Sequence, residues 1–91
     1  MPAQEVIAER LRSAASDGLG VCSLVEIVKR EMGSDVSSFA VMHLLIESLG
    51  LSLADIRELP GARCLGGAVY EDAEIERLID PAIRKALGTG S

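Results

Sequence analysis

The stretch that decides the fold is Ser37–Leu59, SSFAVMHLLIESLGLSLADIREL. From Phe39 to Ile46 every residue except His43 is apolar, and a single glycine, Gly50, divides this run from a second helical pattern. Asp35, Ser37 or Ser38 can supply an N-cap, which makes the run a helix rather than a strand. A helix that is apolar on all sides is expected to be buried on all sides, so the remaining elements should wrap around residues 38–49. Gly50 ends it. Ser52 then caps a second helix, with Asp55 three residues on in the capping-box position. Leu53, Ile56 and Leu59 are its expected buried edge, and Pro60-Gly61 its stop.

On the N-terminal side, residues 3–16 carry Val6, Ile7, Leu11, Ala14 and Ala15 at helical spacing, and Asp17-Gly18 provides a stop. A further helix is expected from Ser23, because Ser23-x-x-Glu26 matches a capping box and Leu24, Val25, Ile27, Val28 and Met32 form a stripe before Gly33. Leu24–Val28 also has the β-branched content of a strand, but the cap and the charged Lys29-Arg30-Glu31 favour a helix.

On the C-terminal side, residues 60–70, PGARCLGGAVY, form the one long irregular segment, which admits a small hairpin around Gly66-Gly67. Asp72 should cap the last helical region, whose stripe is Ile75, Leu78, Ile79, Ala82, Ile83, Ala86 and Leu87. Pro81 is expected to break it, with Asp80 capping a new helix, and Gly88–Ser91 reads as a frayed tail. The sum is an all-α fold: one domain spanning residues 1–91, a compact bundle of five or six short helices around a buried central helix.

Composition narrows the function. The chain has 91 residues, 14 acidic and 9 basic, for a net charge of −5, and its basic residues are scattered rather than clustered. Binding to phosphate backbones needs clustered Lys and Arg, so no nucleic-acid partner is expected and a basic protein is the better electrostatic match. The first residues lack an apolar segment behind basic ones, and the longest apolar run falls short of the roughly 20 residues of a membrane span. A cytoplasmic setting without membrane association follows as an expectation. There Cys22 and Cys64 should be free thiols, although the fold could still bring them together to pair. A core this small, rich in Leu and Ile, also admits a homodimer.

The candidates for chemistry are few. His43 is the only histidine, with Glu47 four residues later, and reads as a residue at the core edge bonded to that carboxylate or a carbonyl. Cys22, Cys64 and His43 show none of the usual close metal-ligand spacings, so neither a metal nor a cofactor is expected. Arg63 beside Cys64 would lower that thiol's pKa, yet a structural cysteine is the plainer reading. Residues 61–67 lack the lysine of a phosphate loop. Glu71, Asp72, Glu74, Glu76 and Asp80 form the densest group of like charge. Acids suit the first turn of a helix, and they also make a face that attracts a basic partner.

Two resemblances bear on this. Leu49–Leu59, LGLSLADIREL, resembles the segment that follows the helix-turn-helix of MerR-type transcription regulators, which implies a helix–glycine–helix corner. The region before it lacks the basic recognition helix that DNA binding would require. The order Phe39, a buried helix, Leu49-Gly50-Leu51-Ser52-Leu53, a glycine-rich loop and then DAEIERLIDPAI resembles small acidic helical immunity proteins of bacterial polymorphic toxin systems. That resemblance implies a bacterial protein that neutralises a cognate toxin by binding it, without chemistry of its own. The expectation is therefore a non-enzymatic interaction or inhibitor protein. Its partner-binding surface would comprise Arg63, Tyr70, Glu71, Asp72, Glu74, Glu76 and Asp80, with Tyr70 as aromatic anchor. A small helix-turn-helix-like transcription regulator is the alternative.

Overall fold

A computed structural model describes residues 4–88. Residue 3 of the first expected helix and residues 89–91 of the expected tail lie outside that range. The described residues hold five α-helices and no strand: α1 (Gln4–Ser16), α2 (Val21–Met32), α3 (Ser38–Leu49), the single turn α4 (Leu53–Ile56) and α5 (Asp72–Ala86). Two 3-10 turns, Leu59–Gly61 and Arg63–Leu65, fill the interval before α5. The fold is an all-α bundle of short helices, as the apolar periodicity requires.

The core is one continuous cluster. α1 contributes Ile7, Leu11, Ala14 and Ala15; α2 contributes Val21, Leu24, Val25 and Val28; α3 contributes Val41, Leu44, Leu45 and Leu49. Ile56 and Leu59 close one end, and Ile75, Ile79 and Ile83 line the inner side of α5. Spacings of three and four residues put each set on one helical face. α1 packs chiefly on α3, and α2 on α5.

The helix ends around α3 are set by local chemistry. The Ser37 hydroxyl accepts a hydrogen bond from the Ala40 N–H at 3.1 Å, and Gly50 takes the left-handed conformation at φ 73° that only glycine adopts without strain. Ser52 and Asp55 form the expected reciprocal capping box.

Several expectations are corrected. α3 is not wrapped on all sides: Phe39 is 78% exposed, and His43 and Glu47 also face outward. The helix is central but lies at the surface along one side, because four short partners cannot enclose it. α4 is only one turn long, and Leu53 at its start is 63% exposed, so the buried edge there is Ile56 and Leu59 alone.

α2 begins at Val21 rather than Ser23, with Gly20 at the N-cap and no side-chain cap of its own. The N-cap of α5 is Glu71 rather than Asp72. Pro81 lies inside α5 and does not break it. Its ring faces solvent, while Ile79 and Ile83 on either side are buried. Packing on both flanks holds the helix through the missing hydrogen bond.

The 60–70 segment is folded, but not as a hairpin. Gly61's carbonyl accepts from the N–H groups of Val69 and Tyr70, Ala62's from those of Leu65 and Gly67, and Arg63 N–H donates to the Tyr70 carbonyl at 2.9 Å. Ala62 and Tyr70 form an isolated parallel bridge. Ala62 is fully buried, so the loop is pinned to the core near its start.

Candidate functional site

The seven residues expected at a partner surface divide into two groups. Glu71, Asp72 and Glu74 are exposed on the first turn of α5, where carboxylates meet the positive end of the helix dipole. Glu71 N–H donates to Glu74 Oε1 at 3.4 Å, and Arg63 Nη1 donates to Glu71 Oε1 at 2.5 Å, tying the loop to the helix. Tyr70 is half-buried and packs against the core. A small cleft of about 170 Å³ lies between Arg63, Gly67, Ala68, Tyr70 and Glu71.

Glu76 and Asp80 do something else. Both are half-buried, and Asp80 Oδ1 accepts from the backbone N–H of Val21 at 2.9 Å. A Cβ placed on Gly20 would lie 2.8 Å from Glu76 Oε2 and 2.9 Å from Asp80 Oδ2. These two carboxylates therefore sit against the uncapped start of α2 and are not part of the outward face.

Two apolar side chains that the residue pattern assigns to the interior, Val69 and Leu78, complete the outward face. Val69 is 70% exposed and Leu78 is 49% exposed. Leu78 looks like a member of the buried stripe, but the buried row is Ile75, Ile79 and Ile83, four residues apart, and Leu78 falls beside it. It lies one helical turn after Glu74, so the acidic turn continues into an apolar position.

The two cysteines, far apart in sequence, meet. Cys22 is buried on α2, Cys64 is half-buried in the second 3-10 turn, and both are free thiols. Their Sγ atoms and a carboxylate oxygen of Asp72 all lie within 4.8 Å of one another. Cys22 Sγ donates to the Asp72 carbonyl at 3.8 Å, and the Lys29 ammonium donates to the Cys64 carbonyl.

Burial pushes the Cys22 thiol well above the ordinary range, reinforced by its hydrogen bond with Cys64 and by the charges on Cys64, Asp72 and Glu76. Burial also raises the Cys64 thiol, partly offset by the hydrogen bond with Cys22 and by Lys29. This corrects the expectation that Arg63 would lower it: that guanidinium is paired with Glu71.

His43 is exposed rather than at the core edge, with Nε2 3.5 Å from Glu47 Oε1. It lines a groove of about 370 Å³ between α1 and α3 together with Glu5, Glu9, Arg12 and Glu47. The Arg12 guanidinium crosses this interface to the Ser48 carbonyl at 3.3 Å. Among the described residues no helix is long and apolar enough to cross a membrane.

What fold and site define together is a class only: an all-α bundle of short helices carrying an acidic helix start beside a closed loop. No protein-family model, curated protein or solved structure matches this chain.

Proposed function

We propose that this chain is a non-enzymatic interaction protein that neutralises a basic protein partner, most specifically a cognate toxin, as bacterial immunity proteins do. The observation that carries this reading is the outward face at the start of α5. Glu71, Asp72 and Glu74 are exposed there between two exposed apolar side chains, Val69 and Leu78. Carboxylates around an apolar contact suit a basic partner, with charge steering the encounter and desolvated apolar area slowing release. Arg63 is engaged with Glu71, and Tyr70 supplies a half-buried ring at the edge of the cleft. In this reading Glu76 and Asp80 serve the bundle rather than the partner, so the surface is Arg63, Val69, Tyr70, Glu71, Asp72, Glu74 and Leu78. The protein would act in the cytoplasm, with the partner's own surface doing any chemistry.

The test is co-purification from the cells that make the protein, with the tagged wild type beside the double variant Glu74→Lys/Leu78→Lys. Leu78 is exposed and Glu74 gives up only its 3.4 Å bond from the Glu71 N–H, so the variant should keep the fold, which circular dichroism verifies. A captured protein with a basic face, released by the double variant and weakened by salt, is the expected result. Equal capture by both forms means that this surface is not the one used. The regulator reading rests on the helix–glycine–helix corner at Gly50, and binding to duplex DNA that falls steeply with salt would favour it instead.

A further inference from the structure

We infer that Cys22, Cys64 and Asp72 form a binding site for a thiophilic divalent cation of the zinc class. Three ligand atoms arrive from three separate segments: the second residue of α2, the middle of the second 3-10 turn and the first residue of α5. They lie within 4.8 Å of one another. In a tetrahedral zinc site with metal–sulfur bonds of about 2.3 Å, ligand atoms sit roughly 3.7 Å apart. A side-chain adjustment of about 1 Å or less would therefore close the cluster on an ion. Two sulfurs and one carboxylate are the donor set that selects zinc or its relatives over magnesium or calcium, which prefer all-oxygen shells.

The surroundings favour the same ion. Glu76, half-buried beside the start of α2, places a second carboxylate near the cluster, and a concentration of negative charge favours a dication. Lys29 is the opposing cation, and its ammonium is held on the Cys64 carbonyl, where it fixes the turn that carries the ligand. Cys22 is anchored in the core, whereas Asp72 is exposed, so water can complete the shell from the Asp72 side. On binding, each S–H bond gives way to a sulfur–metal bond and the two thiol protons pass to solvent. The ion would tie α2, the loop and the start of α5 together. This inference shares Asp72 with the proposed partner surface, but it needs no partner and is tested on the chain alone.

The experiment uses the full chain, stripped of metal and kept reduced by a phosphine, titrated with Co²⁺ as a spectroscopic probe and then with Zn²⁺ in competition. One equivalent should bind, with near-ultraviolet thiolate-to-cobalt charge transfer, visible bands of a tetrahedral ion, and release of two protons per ion. Zn²⁺ should raise the melting temperature. Cys64→Ser should abolish most of the charge transfer and weaken binding at least tenfold, and Asp72→Asn should weaken it about tenfold while keeping the band. Neither position is fully buried, so both variants should fold, and circular dichroism verifies that they do. Absence of charge transfer in the reduced wild type overturns the inference. So does a Co²⁺ affinity that Cys64→Ser leaves unchanged.

Discussion

The carboxylate of Asp80 on α5 accepts a hydrogen bond at 2.9 Å from the backbone N–H of Val21, the first residue of α2. α2 has no capping side chain and no acid in its first turn, so its unpaired N–H groups and positive dipole end are served from another helix. The bond joins two helices that also meet through apolar side chains and through the Cys22 Sγ contact with the Asp72 carbonyl. Asp80→Ala should cost about 1–2 kcal/mol in urea denaturation, the usual range for losing a helix cap. Asp80→Asn should cost less, because the amide oxygen still accepts. A stability of the alanine variant equal to wild type would show that the bond contributes nothing.

Gly20 and Gly67 are both closely approached, with different consequences. A Cβ on Gly20 meets the far ends of Glu76 and Asp80, flexible side chains that can give way at the cost of loosening the Asp80 bond to Val21, and the backbone there is extended at φ −82°. A Cβ on Gly67 meets backbone, 2.4 Å from the Gly61 carbonyl carbon and 2.6 Å from its oxygen. Gly67→Ala must open the closed loop, and the expected cost exceeds that of Gly20→Ala by about 1–3 kcal/mol, the range for overpacking. Thermal melts of the two variants side by side give the answer, and equal melting temperatures would contradict it.

Much of the fold is legible in residue pattern because its signals are local. Ser37, Gly50 and the Ser52–Asp55 box each act within one helical turn; Gly50 and the box sit where the sequence places them, and Ser37 is one of the three caps it offers for α3. What escapes the sequence is decided by distant partners. Ser23 and Glu26 spell a capping box, yet α2 starts two residues earlier because Asp80, far along the chain, satisfies Val21. Glu76 and Asp80 belong by sequence to one run of acids with Glu71 and Glu74, but helical rotation turns them toward Gly20. The meeting of Cys22 with Cys64 and Asp72 has no spacing signature at all, since tertiary packing alone creates it.

Pro81 offers a direct measure of tertiary override. A proline within a helix costs about 3 kcal/mol relative to alanine in an unconstrained setting. Here α5 continues through it, and Pro81 itself is exposed. Pro81→Ala should therefore stabilise the protein, by about 1–3 kcal/mol, since the helix gains a hydrogen bond without losing a core contact. Were α5 two helices with proline at the start of the second, the same change would be neutral or destabilising. Chemical denaturation distinguishes the two.

Phe39 and Leu45 occupy the same helix with opposite roles. Leu45 is fully buried, whereas Phe39, although the larger and more apolar-looking residue, is 78% exposed. Leu45→Ala should cost about 2–5 kcal/mol through lost burial and an unfilled cavity. Phe39→Ala should fall within about 0.5 kcal/mol of wild type, as exposed substitutions do. A large loss at Phe39 would mean that its ring is covered in solution, as it would be in a homodimer, and sedimentation of the two forms would then separate them.

The paired thiols give stability a pH dependence of definite sign. Burial holds both Cys22 and Cys64 above their ordinary values in the folded chain. A raised folded-state pKa leaves stability complete below the unfolded value, about 8.5 for a thiol. As pH climbs beyond that, the unfolded chain loses thiol protons that the folded chain keeps, and stability falls until the folded thiols titrate as well. Under reducing, metal-free conditions the urea midpoint should therefore be flat from about pH 7 to 8 and decline between about pH 8.5 and 10. Cys22→Ala/Cys64→Ala should start lower at pH 7, because one buried and one half-buried side chain are truncated, and then show a shallower decline. That difference in slope, rather than in absolute stability, reports the thiols: truncation moves the whole curve, while only the loss of a titrating group changes its shape. Parallel declines in the two proteins would mean that the alkaline loss comes from other groups.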